Sequence, residues 1–403
     1  MNSSEEVNVT ILGWYGNANS GDEANLAMLV ARLKRSVPRV RIFVFSANPK
    51  QTSELYGVTG IQKGLIKYFR QTITTIRKSH LFVIGGGTLL QDQRPKYSAV
   101  SAVCAYIMLA VIFRVPIAFY AQGLGPLKRK FNRILTKVFA NRVSLITVRD
   151  NDSRDILENL GVCKPEIIIT GDPAINLEGI NSKRIEEIFV SEGLKSRRFV
   201  AICPSGRLAV SNRQKKTIES ELAKVADLIV EQLDVDMLFI PMQLIGVHND
   251  LMTSESIMAK MKTPRRAQLL RHDYSPKEIK GILSKMELVI GFRLHALIFA
   301  TGSNVPVIGI SHADKILGFL KMLNQERFTI KIDELCCESI FAKVKEIWNS
   351  RAEMQAEVRE NVDRYKKQAD KTIGYVENLL YSLYGEQVLG DKCSSVQRTE
   401  IEM

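Results

Sequence analysis

A chain of 403 residues, 45% hydrophobic and 25% charged, has the make-up of a globular protein with room for two domain-sized cores. Its net charge of +13 suits an acidic substrate, an anionic membrane surface or nucleic acid, but aromatics are only 7% and none alternates with Lys and Arg as a base-stacking platform requires, so no nucleic-acid partner is expected. Six scattered cysteines without a C-x-x-C pair or zinc spacing, a polar acidic start and no apolar run of spanning length argue against a disulfide scaffold, a zinc finger and a membrane-spanning chain, and for a cytoplasmic protein.

The pattern predicts a strand at Val7–Leu12, a helix at Asp22–Arg35, and strands at Val40–Phe45 and Leu81–Ile84, the last ending in Gly85-Gly86-Gly87. The apolar stretch Ala99–Phe113, closed by Arg114, is expected as a buried core helix. Strands follow at Val115–Tyr120, Leu145–Val148 and Ile167–Thr170. Between the first two of these, Lys128–Arg142 places Phe131, Leu135, Val138 and Phe139 on one side and Lys128, Arg129, Lys130, Arg133 and Lys137 on another. The default reading is a core-facing helix with a solvated basic face, and the alternative is a helix lying on an anionic membrane.

The charged segment Ala174–Arg198 marks a boundary, after which the pattern restarts. Phe199–Cys203, Met237–Ile240, Leu288–Ile290 and Val305–Ile310 read as strands, and Thr217–Glu231, Ser275–Ser284 and Leu294–Thr301 as helices. Strand, turn and helix in repetition mean βαβ units and parallel sheets. The expected fold is therefore α/β, with two Rossmann-like domains facing a central cleft. Their expected spans are residues 1–178 and 179–338, followed by helices over 339–384 and a disordered tail over 385–403.

Five motifs could carry chemistry. Gly13 to Glu23 follows a strand and opens a helix, where open α/β sheets bind ligands. Gly16 and Gly21 mimic P-loop spacing, but Asp22 stands where the lysine belongs and would repel a triphosphate. Asn17, Asn19 and Asp22 could hydrogen-bond sugar hydroxyls, or simply form a turn and a helix start. Gly85 to Asp92 offers glycines that let backbone approach a ligand, or a plain turn. Val148-Arg149-Asp150 puts an arginine at a strand end, fit to hold a carboxylate or phosphate. Gly291-Phe292-Arg293-Leu294-His295 is the most informative, since it sets Arg and His at the start of an apolar helix, a natural anion site. Ile310 to Lys315 adds a lysine just past a strand.

In this order the motifs resemble the polysaccharide pyruvyl transferase family, over roughly residues 7 to 330. The carrying residues are Gly16 to Glu23, Gly85 to Asp92, Gln122 to Pro126, Val148 to Asp150, Gly171 to Ala174, Gly291 to Ala300 and Lys315 to Leu320. Members often read Tyr-Asp-Pro-Lys where this chain has His312-Ala313-Asp314-Lys315, a departure that bears on acceptor choice. The resemblance implies a glycosyltransferase-B-like fold with no required metal or cofactor. It implies phosphoenolpyruvate as donor substrate and a glycan or lipid-linked saccharide as acceptor, with a pyruvate ketal as product. The first domain is expected on the acceptor side and the second on the donor side.

A donor bearing a carboxylate and a phosphate needs at least two cations. Arg293 and Arg149 are assigned to it, with Lys315 or Arg207 as helpers. His295 is assigned as the general acid that protonates the methylene carbon, because imidazole titrates near neutral pH. Asn17, Asn19, Gly21, Asp22, Gly86, Gly87, Thr88, Asp92, Gln122, Gly123 and Asp150 complete the expected substrate contacts. The base is left open among Asp22, Asp92 and Asp150. Two other readings remain: a glycosyltransferase of the same architecture using a nucleotide sugar, and a non-catalytic basic binding module. Oligomeric state is not legible, and peripheral contact with the inner membrane face stays open through the basic helix.

Overall fold

The computed structural model describes residues 6–92, 99–194, 198–206, 211–244, 249–311 and 314–385. The chain divides into two compact units, one of Met1–Asn17, Asn25–Pro173 and Gln368–Met403, the other of Ala18–Ala24 and Ala174–Lys367. The division falls at Pro173/Ala174, inside the sequence region expected to hold the boundary only by its edge, and a seven-residue segment near the start of the chain groups with the second unit.

The first unit alternates strand and helix: β1 (Val7–Tyr15), α1 (Ser20–Ser36), β2 (Val40–Ser46), α2 (Pro49–Tyr56), β3 (Thr59–Gln62) and α3 (Phe69–Arg77). It continues with β4 (Leu81–Leu90), α4 (Ala99–Ile112), β5 (Ile117–Leu124), α5 (Lys130–Ala140), β6 (Leu145–Val148), α6 (Asn151–Asn159) and β7 (Ile167–Ile169). The strands form a parallel sheet in the order β3-β2-β1-β4-β5-β6-β7. Helices cover both faces, so the central strands read as unbroken apolar runs; Leu81, Phe82, Val83 and Ile84 are all fully buried. β4 does not stop at the glycines. It runs on through Gly86 and Gly87, whose φ values of 70° and 122° suit glycine alone, and pairs Gly87 with Gln122 and Thr88 with Gly123 of β5.

The second unit repeats the scheme with α7 (Ser182–Ser191), β8 (Phe199–Cys203), α8 (Asn212–Leu233), β9 (Asp236–Phe239), α9 (Asp250–Met258) and β10 (Ala267–Leu269). After these come α10 (Pro276–Leu283), β11 (Leu288–Gly291), α11 (Leu294–Gly302), β12 (Val307–Ser311), α12 (Asp314–Met322) and β13 (Thr329–Lys331). Its parallel sheet has the order β10-β9-β8-β11-β12-β13. α10 starts as its sequence dictates, with Ser275 and Glu278 closing a capping box and Pro276 in the first turn.

The C-terminal helices, α13 (Cys337–Asn349) and α14 (Arg351–Tyr384), do not stand apart. Ile340, Phe341 and Val344 join the core beneath α8 in the second unit. The last turns of α14, with Ile373, Val376 and Leu380, pack in the first unit against the core of β1 and α1. Among the described residues no helix is long and apolar enough to cross a membrane. Of the tail expected over 385–403, all but Gly385 lies outside the described residues.

The helix expected at Lys128–Arg142 forms as α5 with its basic face exposed and with Leu135 and Phe139 packed against the core, but it is rotated about its axis from the expected setting. Asn132, Thr136 and Ala140 are buried, and Phe131 and Val138, expected toward the core, are exposed. The reason is local: the Asn132 side chain donates to buried Asp92 at 3.1 Å, which turns the polar, small-residue face to the sheet.

Candidate active site

In the second sheet the winding reverses between β8 and β11, and open α/β sheets bind ligands at the carboxyl ends of the strands flanking such a point. β11 ends at Gly291, and Arg293 is the N-cap residue of α11, with extended backbone and no side-chain cap bond. The first amides of α11 thus face the strand ends with no cap from its own side chain.

Arg293 is aimed by a residue that the motif reading missed. Its Nη2 donates to Asp250 Oδ1 at 2.6 Å. Asp250 is fully buried at the start of α9. The same carboxylate accepts from the amides of Gly206 (2.8 Å), Met242 (3.2 Å) and Gln243 (3.0 Å), so it ties together the turns after β8 and β9. Burial pushes the Asp250 carboxyl above its ordinary range, opposed by the Arg293 charge and by these hydrogen bonds. In the sequence Asp250 shows only as Asn249-Asp250 before a helix, which is ordinary capping chemistry. Asn249 does cap α9, accepting from Leu251 N at 2.8 Å.

His295 lies in the first turn of α11, one residue past Leu294. Its ring sits against Gly21: a Cβ built on that glycine would stand 1.9 Å from His295 Nδ1. Gly21 therefore serves by lacking a side chain. It is held in place by its neighbours. Asn19 Oδ1 accepts from the amides of Gly21 (3.1 Å) and Asp22 (3.4 Å) and so starts α1. Ser20 donates from N and Oγ to Met242 O at 3.3 and 3.2 Å, and Asn19 forms an isolated bridge with Gln243. The first turn of α1, the turn after β9, Asp250, Arg293 and His295 are thus one connected constellation. Lys315 is exposed in the first turn of α12, which follows the carboxyl end of β12. Arg207 and His312 lie outside the described residues.

The first unit has its own cluster at the strand ends. Arg149, just past β6, is 5% exposed. It donates to Asp150 Oδ2 (3.3 Å), Asp172 Oδ2 (3.4 Å) and Thr88 Oγ1 (2.9 Å). A Cβ on Gly123 would come within 2.7 Å of the guanidinium, so the ends of β4, β5 and β6 all meet Arg149. Gln122 is fully buried and its amide donates to the carbonyls of Gly87 and Gly123 at 3.1 and 2.8 Å. Gly86 lies close under Asn25 and Tyr15.

Several expected contact residues carry structural work here. Asn17 donates to the carbonyls of Trp14 and Tyr15, bracing the turn after β1. Asp150 caps α6 through Ser153 N at 2.8 Å. Asp92 accepts from the amides of Lys128 (2.7 Å) and Arg129 (2.8 Å) as well as from Asn132. Burial alone would raise the Asp92 pKa, but these donors hold it below the ordinary range. Among the described residues no group of three or more His, Cys, Asp or Glu is placed to hold a metal ion.

A family model described as polysaccharide pyruvyl transferase matches residues 19–314, from the first turn of α1 through β12. The chain belongs to this family. It is also similar to the amylovoran biosynthesis protein AmsJ of Erwinia amylovora, 21% identical over 309 residues, covering 74% of this chain and 72% of that protein. Family and relative together mark this pyruvyl transferase family member as a transferase of polysaccharide biosynthesis.

Solved structures define the architecture. MnaA of S. aureus, solved with UDP, superposes with a TM-score of 0.66 at 13% identity over 94% of this chain and 97% of that one. Anabaena HepE, solved with UDP, gives 0.61 at 14% identity over 93% and 100%. At such identity the likeness is one of fold: two Rossmann-like domains of glycosyltransferase-B type.

Proposed function

We propose that the protein transfers a pyruvyl group from phosphoenolpyruvate to a sugar residue of a cell-surface polysaccharide or its lipid-linked precursor, closing a ketal on two hydroxyls. The observation that carries this reading is the constellation in which Arg293 is aimed by buried Asp250 and His295 is seated on Gly21 at the start of α11. It supplies what the donor needs: a fixed cation and a helix N-terminus for its anionic groups, and an imidazole within a turn of them.

Charge arithmetic separates the two arginines. Arg149 is flanked by two carboxylates, Asp150 and Asp172, so its surroundings carry no surplus positive charge. Arg293 pairs with Asp250, a carboxylate whose charge is shared by three backbone amides. Arg293, helped by Lys315, is the donor cation in this reading, and Arg149 is a positioning residue for the turns at Thr88 and Gly123.

In the reaction, His295 gives a proton to the methylene carbon, which becomes the methyl group, and positive character develops at C2. A sugar hydroxyl adds there and loses its proton to a carboxylate. Asp22 takes this role in our reading, because it lies next to Gly21 and so in the same turn that seats His295. The C–O bond to phosphate then breaks, phosphate departs with its electron pair, and the second hydroxyl closes the ketal, its proton leaving with the phosphate.

The test is phosphate release from phosphoenolpyruvate with and without glycolipid acceptor. Acceptor-dependent release without any nucleotide supports the reading. Turnover of a nucleotide sugar with no release supports a glycosyltransferase instead, the reading favoured by the UDP complexes of structural neighbours.

A further inference from the structure

α3, α4 and α5 lie on one face of the first sheet, where their inner sides share a core with Phe45, Phe82, Ile84 and Phe119. α4 packs between the other two. The outer sides of α4 and α5 carry exposed apolar side chains, and α3 adds Phe69 at its start. On α5, Phe131 and Ile134 are 64% and 61% exposed, and Val138 continues the same row at a spacing of three and four residues. On α4, Met108 and Ile112 point outward one turn apart, and Ile66, just before α3, is 93% exposed. A single exposed apolar side chain is ordinary, but rows on adjacent helices make a patch, and patches mark interaction sites.

The charge around this patch selects the occupant. Lys67, Arg70, Arg77, Arg114, Lys130, Arg133 and Lys137, on or beside these helices, are all exposed, and between the first and last of them the sequence holds one acidic residue. The one acid, Asp92, is buried and bonded to backbone amides. Lys130, Arg133 and Lys137 run along α5 as a second exposed row beside the apolar one. Two copies of such a face would repel each other. A nucleic acid would engage the cations and leave the aliphatic row in water. An anionic bilayer satisfies both rows, with phosphates meeting the cations and the headgroup–acyl boundary taking the apolar side chains.

We propose that the α3–α4–α5 face of the first unit is a docking surface for an anionic lipid bilayer. The surface stands independently of the transfer chemistry proposed above. The experiment is flotation of the full chain with vesicles of phosphatidylcholine alone and of equal parts phosphatidylcholine and phosphatidylglycerol. The protein is expected to float with the mixed vesicles only, and to detach as salt rises. F131S/I134S/V138S and K130E/R133E/K137E should each weaken binding by about tenfold or more. Circular dichroism and melting temperature should match wild type, since all six positions are exposed. Phosphate release with a water-soluble acceptor should also be unchanged in both variants. Three results would overturn the proposal: no flotation with mixed vesicles, undiminished flotation of the apolar variant together with competition by single-stranded DNA, or a wild-type dimer that the apolar variant converts to monomer.

Discussion

At the scale of single residues, the proposed chemistry depends on how Arg293 and His295 are held. Gly21→Ala would drive a methyl group into the imidazole, because its Cβ falls 1.9 Å from Nδ1. Displacing a reacting group by about an ångström costs on the order of 100-fold in rate, so this variant should lose about that much kcat while melting nearly as wild type. Asp250→Asn keeps the size of the side chain but removes the charge that aims Arg293. It should raise the KM for the donor more than it lowers kcat. Asp250→Ala leaves Arg293 and three amides without their acceptor and should destabilise the fold by about 3 kcal/mol in denaturant titration. The Arg-x-His pair was legible in the sequence because an apolar helix gains nothing from carrying both in its first turn. Asp250 was not, since an acidic residue at a helix start is common and its partners Gly206 and Arg293 lie 44 and 43 residues away. The structural duties of Asn17, Asp92 and Asp150 were equally hidden, for the same side chains serve turns, caps and sugars.

Elements bring a different set of forces. The strands were readable because burial on both faces removes polar alternation and leaves runs such as Leu81–Ile84. Their ends were less so: β4 extends six residues past the predicted stop, carried through by positive-φ glycines that look like a turn in one dimension. α5 is rotated, so that Phe131 and Val138 face outward, because a sequence pattern counts apolar residues and cannot see that Asn132 has a buried carboxylate waiting for it. A further element-scale feature is Lys280 on α10, 5% exposed, whose Nζ donates to Ile175 O at 2.7 Å. Burial, helped by the nearby Lys366 charge, brings its pKa down to about 7 from 10.5. Between those values the unfolded chain holds a proton that the folded protein does not, so stability rises with pH through that window and falls toward neutrality. The melting temperature of wild type should therefore climb relative to that of Lys280→Met as pH goes from 7 toward 10. Parallel curves for the two proteins would contradict this.

For the whole molecule, the sequence carried the βαβ repetition and hence two parallel sheets, and the motif order carried the family. It did not carry the redistribution of segments, with Ala18–Ala24 grouped in the second unit and α14 shared by both, because the partners lie hundreds of residues away. That grouping is what sets Gly21 beside His295. The proposed reaction turns on proton transfer from His295 to the methylene carbon of phosphoenolpyruvate, followed by ketal closure. The direct measurement is NMR of the product formed in heavy water from phosphoenolpyruvate and the glycolipid acceptor, for wild type and His295→Ala. The expected product is a ketal whose methyl group carries one deuterium, formed by wild type and absent with His295→Ala. A wild-type product that keeps the methylene group, or a ketal formed equally by both proteins, would contradict the proposed reaction.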